Sequence, residues 1–384
     1  MRRCGAASIR PARNDGPCDP LEVTTKAIFP IAAFFTAALL SAVGTAAVRR
    51  WSLARGFVDL PGGHKAHDNP VALGGGIAVT LAVLLPILLA IAAANTFAAG
   101  APDWLPYSVS VHLDGIVSRN YVATGIALAA ITMCILGLAD DARPMRPALK
   151  FLGQFLIALF LVVGCNLRLM SHLPYGLSVF LSLAWMLTLT NSFNFLDNMD
   201  GLAAGVGMIA AAVFATTAAG AGQLFVPLCC WLLVGALAGF LPFNFHPARI
   251  YLGDAGSMVI GLLLAVFTIL TTFAAPEQGQ RPFGMLAPLV VMAVPLYDTI
   301  SVIYLRWRLG VPIWTGDRRH FSHRLIRRGM SIPQAVLVIW LATLVTSLPA
   351  LLLPGASWPQ AWGIILQTLL VVSLVALLES PGKT

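Results

Sequence analysis

Eleven apolar runs, each long enough to cross a lipid bilayer as a helix, make up most of this chain of 384 residues. They lie at about 27–48, 73–95, 121–139, 148–166, 176–193, 201–220, 224–242, 256–274, 284–304, 332–353 and 360–378. About 20 apolar residues in a helix span the hydrocarbon core. Backbone N–H and C=O groups find no water there, so continuous runs of this length must be helical. The expected fold class is therefore all-α: a polytopic integral membrane protein of about 10–11 transmembrane helices, with a site carried by loops at one face. Residues 26–380 are expected to form a single transmembrane domain, preceded by a basic, disordered tail over residues 1–25.

Composition narrows the function classes. Only 10% of the residues are charged and 58% are hydrophobic, whereas soluble domains carry about 25% charged residues. A net charge of +8 would suggest nucleic acid in a soluble protein. Here no compact basic domain exists to bind it, so no nucleic-acid partner is expected; the basic residues set orientation and meet anionic lipid. The cysteines Cys4, Cys18, Cys134, Cys165, Cys229 and Cys230 form no C-x-x-C pair, and four lie in apolar runs. They read as small buried residues, not as a thiolate zinc site. The leader has no apolar core before Ala27, so it does not read as a signal peptide, and the first run is expected to remain as a helix.

Numbering the connections alternately sorts the charges. Of the 24 Lys and Arg, sixteen fall on the side that receives residues 49–72, 140–150, 243–255, 305–331 and the C-terminus; eight fall on the other, five of them at or before the start of the first span. The first side is expected to be cytoplasmic. Asp59, Asp68, Asp140, Asp141, Asp197, Asp200, Asp254 and Asp317 lie on or near that side, while Asp298 lies inside the ninth span. Polar residues gathered from five loops on one face are what a single site at a membrane surface requires.

The strongest local signal is Asp140–Asp141 in LGLADDARPMRPALK. Adjacent residues do not share a helix face, so at a helix end one carboxylate can hold a metal while its neighbour faces a substrate. Two carboxylates at a membrane edge are costly and mark function; Lys150 is placed to pair with them or with phosphate. In TNSFNFLDNMDGLAAG, Asn191, Asn194, Asp197 and Asp200 recur every third residue, a polar stripe on a helix whose amides and carboxylates suit the edges of a base and ribose. In NFHPARIYLGDAGS, Asp254 sits among small residues before an apolar helix, with Asn244 and Tyr251 nearby. Small neighbours and a helix N-terminus both favour a close anion or metal. In GDRRHFSHRLIRRG, Arg318, His320 and His323 stand among further arginines, whose guanidinium forks fit diphosphate oxygens. The loop DLPGGHKAHDNPVALGGG adds Asp59, Lys65 and His67 and is the least specific of the five. Hard oxygen donors without thiolates suit Mg²⁺, which takes one or two carboxylates together with phosphate oxygens. Carboxylates for the metal and Arg/His for phosphate point to phosphoryl transfer.

These five segments, in this order from Asp59 to about Gly329, resemble the polyprenyl-phosphate N-acetylhexosamine-1-phosphate transferases of glycosyltransferase family 4. The resemblance implies a helical membrane enzyme at the cytoplasmic face of the inner membrane. Its substrates would be a UDP-sugar and polyprenyl phosphate, its cofactor Mg²⁺ or Mn²⁺, its released product UMP, and its candidate assembly a homodimer. Carried over by position, Asp140 and Asp141 match the catalytic acid pair, Asp254 the metal-binding aspartate with Asp141 beside it, and Asn191, Asn194, Asp197 and Asp200 the nucleotide motif. Tyr251 matches an aromatic position suited to stacking on uracil, with Lys65 also on the nucleotide side. Lys150, Asn244, Arg318, His320 and His323 match phosphate-side positions. The chain departs from the pattern at Asn198, often Gly; His64, often Arg; Leu73, where an Arg precedes the glycines; and Ser322, which replaces a histidine of the last loop. That loop lies closer to the GlcNAc-type branch than to the phospho-MurNAc-pentapeptide branch, which carries a run of histidines there.

The resemblance therefore implies transfer of a sugar-1-phosphate, GlcNAc-1-phosphate in the GlcNAc branch, to undecaprenyl phosphate. The lipid phosphate is already largely deprotonated at neutral pH, so Asp140 and Asp141 are expected to place metal and lipid phosphate more than to remove a proton. A rival from another class is a transporter whose acids line an ion path, with Asp298 the one acid set deep.

Overall fold

The computed structural model describes residues 20–60, 70–97, 100, 102, 105, 110–273, 281–312 and 319–379, with side chains described from residue 28 onward. The described elements are α1 (Pro20–Arg55), a two-residue hairpin β1 (Val58–Asp59) and β2 (Val71–Ala72), α2 (Gly75–Phe97), the short α3 (Leu113–Ser118), and α4 (Asn120–Ala142). Then come α5 (Pro147–Leu159, closing in a wider turn at Phe160–Gly164), α6 (Tyr175–Leu196), α7 (Leu202–Gly220), α8 (Phe225–Asn244) and α9 (Gly253–Leu270). The C-terminal part holds α10 (Ala287–Val291), α11 (Ala293–Arg308), α12 (Phe321–Arg327), α13 (Ile332–Ser347, continued by a tighter helix to Gly355) and α14 (Trp358–Glu379). The protein is a multi-pass, all-helical membrane protein. Among the described residues ten helices are long and apolar enough to cross a bilayer, and eleven if the bent pair at 282–308 counts as one.

That pair corrects one expectation. The run at 284–304 is not one straight span: Pro282–Val291 and Ala293–Arg308 meet at 59°. The reason is local. Pro295 fits the first turn of α11, where its missing N–H costs nothing, but in a continuous helix its ring would collide with the carbonyl of Val291. The chain breaks at Met292 instead. The first helix also exceeds its expected run, beginning at Pro20.

The bundle is built around α9, most of whose residues are buried, and which packs against α2, α4, α6 and α7. The outer helices α1 and α14 instead turn large apolar side chains such as Phe35, Leu39, Leu369 and Leu377 outward, as a lipid-facing surface requires. The polar ends that matter lie together: the C-terminal ends of α4, α6 and α8 and the N-terminal ends of α5 and α9. The hairpin is stitched to the start of α9, since the amide of Tyr251 donates to the Ala72 carbonyl at 2.9 Å and the amides of Gly75 and Gly76 donate to the carbonyls of Tyr251 and Leu252, each at 3.0 Å.

Candidate active site

Asp140 and Asp141 close α4 and do different things, as neighbours on a helix must. Asp140 faces the start of α5. Its Oδ1 accepts the Met145 amide at 2.6 Å and its Oδ2 accepts Lys150 Nζ at 3.0 Å. The same ammonium reaches Asn194 Oδ1 at 3.2 Å and bonds Asp254 Oδ2. Asn194 completes the ring by donating to Asp254 Oδ1 at 2.6 Å and reaching Ser257 Oγ at 3.3 Å. Side chains from α4, α5, α6 and α9 thus converge on one partly buried cluster.

Asp141 turns to α9. Its Oδ1 and Oδ2 accept the backbone amides of Asp254 at 2.9 Å and Ala255 at 3.2 Å. Helix N-termini leave such amides without partners and carry partial positive charge, so a carboxylate there is favoured twice over. Gly253 makes the approach feasible. Its φ is +71°, and a Cβ on it would stand 2.6 Å from Asp141 Oδ2.

Asp197 caps α6 and takes a hydrogen bond from the Gly253 amide. Its burial, then the carboxylates of Asp254 and Asp141, push its pKa well above the usual range. Burial, with Asp200, Asp59 and Asp197 nearby, likewise raises the Tyr251 phenol. Asp200 accepts the Ala248 amide at 3.1 Å and meets His246 Nδ1 at 2.7 Å.

The expected four-residue stripe is shortened by the structure. Asn191 and Asn194 lie on α6, but the helix ends at Leu196, leaving Asp197 and Asp200 in the turn beyond it. The Asn198 amide caps the Phe195 carbonyl at 2.6 Å and Gly201, at φ +76°, redirects the chain. A short polar side chain that bonds a nearby carbonyl competes with helix continuation.

Asp140 and Asp254 meet on the Lys150 ammonium, with Asp141 held on the backbone of Asp254 and Asp197 close to both Asp141 and Asp254. Their oxygens are hard donors, and no group of three or more His, Cys, Asp or Glu among the described residues has a metal-holding arrangement. Carboxylate oxygens are the donors that Mg²⁺ takes, one or two at a time, beside phosphate and water. Asp254, with Asp141 beside it, is the side chain placed to contribute.

The sequence profile of Glycosyl transferase family 4 matches residues 123–272, the stretch that holds this cluster. A decaprenyl-phosphate N-acetylglucosaminephosphotransferase of Mycolicibacterium smegmatis is 33% identical over 337 residues, covering 80% of this chain and 77% of the relative. This chain belongs to glycosyl transferase family 4. A protein of Bacillus subtilis named "Probable undecaprenyl-phosphate N-acetylglucosaminyl 1-phosphate transferase" is 28% identical over 336 residues, covering 85% of this chain and 86% of its own. An undecaprenyl-phosphate alpha-N-acetylglucosaminyl 1-phosphate transferase of Yersinia pestis is 26% identical over 310 residues, covering 77% and 76%.

Within this family member the remaining candidate residues divide. Lys65 and Arg318 lie outside the described residues. Asn191 donates to Gln154 Oε1 and to the Leu187 carbonyl, both at 2.8 Å, and so ties α6 to α5. Asn244 is 3% exposed, with its amide committed to the Gly201 N–H and the Ile250 carbonyl. It braces the loops on which Asp200 and Tyr251 stand. His320 precedes α12 and is buried, while His323 lies in the first turn of that helix. Arg324, one of the arginines of the last loop, pairs with Glu379 at 3.1 Å and with Ser301 Oγ at 2.7 Å, so it anchors α12 to α14 and α11. Gln154 was not singled out from the sequence, although it follows Lys150 by one helical turn and is 1% exposed. Asp298, expected deep in the ninth span, is fully buried and bonded to His320 and to the Phe321 amide.

Proposed function

We propose that this protein transfers GlcNAc-1-phosphate from UDP-GlcNAc to a polyprenyl phosphate, with undecaprenyl phosphate the lipid substrate. The products are UMP and a lipid-diphosphate-sugar that starts envelope polysaccharide synthesis. The observation that carries the reading is the convergence of Asp140, Asn194 and Asp254 on Lys150 at one end of the bundle, in a chain whose relatives bear these transferase names. The excess of Lys and Arg in the loops at that end supports a cytoplasmic site at the inner membrane.

A lipid phosphate oxygen attacks the phosphorus that bears the sugar. A new P–O bond forms, the bond from that phosphorus to the bridging oxygen breaks, and UMP leaves with the electron pair. The nucleophile is already an anion at neutral pH, so the main task is to neutralise and align charge. Mg²⁺, held by Asp254 with Asp141 beside it, would supply charge neutralisation at the diphosphate. Lys150 offers its ammonium to the same phosphates. Asp140, whose two oxygens already accept Met145 and Lys150, aims that ammonium and has only a secondary part in taking a proton. Asp197, Asp200 and Tyr251 line the nucleotide side, while Asn191 and Asn244 hold those elements in register.

The test is UMP release by the purified protein in detergent, supplied with UDP-GlcNAc, undecaprenyl phosphate and Mg²⁺. UMP that requires the lipid phosphate and the metal, and is lost in Asp254→Ala, supports the reading. UMP from another UDP-sugar alone changes the sugar and keeps the reaction. Folded protein that releases UMP from no UDP-sugar overturns it.

A further inference from the structure

Asp298 has no part in the reaction as outlined, yet it sits on α11 with 0% exposure. A carboxylate in such a setting is retained when specific partners meet it. Its partners come from the last loop. His320 Nδ1 stands 2.8 Å from its Oδ2, and the Phe321 amide donates to its Oδ1 at 3.0 Å. Two consecutive residues thus take one oxygen each, which fixes the start of α12 and the orientation of the imidazole together.

The surroundings hold that arrangement against α6. The His320 ring meets the Phe195 ring edge-on, 5.8 Å between centroids, and Phe195 adjoins Asn194 of the carboxylate cluster. Ser322, also buried, bonds through its Oγ to Asn198 Oδ1 at 2.5 Å, and Asn198 caps the Phe195 carbonyl. His320 is therefore pinned from α11 on one side and from the end of α6 on the other.

We infer that Asp298 is a positioning residue that fixes the proton of His320 on Nδ1 and presents Nε2, at the far end of the ring, to a phosphate oxygen of the substrate. An ionised carboxylate only accepts hydrogen bonds, so the ring nitrogen it meets must carry the proton. With Nδ1–H given to Asp298, Nε2 bonds an anionic phosphate oxygen only when it carries a proton of its own, so the ring meets the phosphate as the imidazolium, with the Asp298 carboxylate balancing its charge. The identity of that ligand rests on the transferase reading; the pairing of Asp298 with His320 does not.

The test is a double-mutant cycle joined to nitrogen NMR of histidine-labelled protein. Asp298→Asn keeps an oxygen for the Phe321 amide but offers an N–H where Nδ1 needs an acceptor, so the ring can no longer carry a proton on both nitrogens and loses its charge-assisted bond to the phosphate. UMP release should fall about 10- to 100-fold, the usual cost of losing a partner that orients a functional histidine. His320→Gln should fall similarly, and the double variant no further than His320→Gln alone. Losses that multiply overturn the inference, because a merely structural Asp298 acts independently of His320. In the wild-type protein the His320 signal, assigned by its absence in His320→Gln, should show a proton on Nδ1; a ring protonated on Nε2 alone overturns the inference without any variant of Asp298. If wild-type protein releases UMP from no UDP-sugar, the transferase reading falls, and the nitrogen spectrum still decides the pairing.

Discussion

Asp141 grips the N-terminus of the helix that carries Asp254, accepting the amides of Asp254 and Ala255 through its two oxygens. Asp254 in turn uses its own oxygens on Lys150 and Asn194. The two acids touch the same turn of chain but in different capacities, one through the backbone and one through the side chain. Their variants should therefore separate stability from chemistry. Asp141→Ala leaves two helix amides without their acceptor and should lower stability by about 1–3 kcal/mol, the cost of unsatisfied buried polar groups. Asp254→Asn keeps the side chain's shape and its contact with Lys150, and should abolish UMP release with a much smaller change in Tm. Thermal unfolding in detergent beside the UMP assay checks both; equal Tm losses would mean that Asp254 is as structural as Asp141.

Lys150 is the cation on which Asp140, Asn194 and Asp254 converge. Lys150→Gln leaves those carboxylates without it, and both Tm and UMP release should drop. Lys150→Arg restores charge but replaces a compact ammonium, able to face three oxygens, with a planar fork. We expect the arginine variant to regain part of the Tm lost by glutamine while UMP release stays at least about tenfold down. Full recovery of release by Arg would show that charge alone suffices at this position.

Much of this was legible in the sequence, and the limits have physical causes. The spans follow from apolar length alone, because lipid forces a long apolar run to be a helix. The break at Met292 was written in Pro295, but a hydropathy window averages over proline and misses it. The site acids were visible because each interrupts an apolar context near a helix end. The bonds among them were not. That Asp141 binds the backbone 113 residues away, or that Asp298 meets His320, depends on how helices pack and leaves no local periodicity. The stripe through Asn191 and Asn194 read as helical through Asp200 because spacing cannot show that Asn198 would cap its own helix.

Asp197 supplies a prediction in pH. Burial and the carboxylates of Asp254 and Asp141 raise its folded pKa well above the unfolded value of about 3.9. Between those values the folded protein holds a proton that the unfolded chain has released, so stability must fall as pH rises through that window. Asp197→Asn removes the dependence and should leave the metal-free protein more stable than wild type at neutral pH, with the advantage vanishing in acid. Tm measured across pH in a chelating buffer tests this. Parallel curves for the two proteins would mean that Asp197 is ionised in the fold.

The last prediction concerns the spacing between α4 and α9. Gly137 lies one turn before Asp141, and a Cβ on it would stand 2.4 Å from the Ala255 nitrogen and 2.5 Å from the Asp254 carbonyl carbon. Both are backbone atoms, so no side chain can swing aside; the helices themselves must separate. Gly137→Ala should therefore cost about 1–3 kcal/mol, as overpacking does. It should also pull Asp141 from the amides it holds, so UMP release falls more than the lost Tm alone explains. Gly164→Ala is the matched control, since the side chain it would touch, Phe160, lies at the opposite end of the bundle from the cluster. Release per folded molecule, counted by size-exclusion recovery, should fall for Gly137→Ala and hold for Gly164→Ala; equal activity per folded molecule in the two would show that the site tolerates a wider gap between α4 and α9.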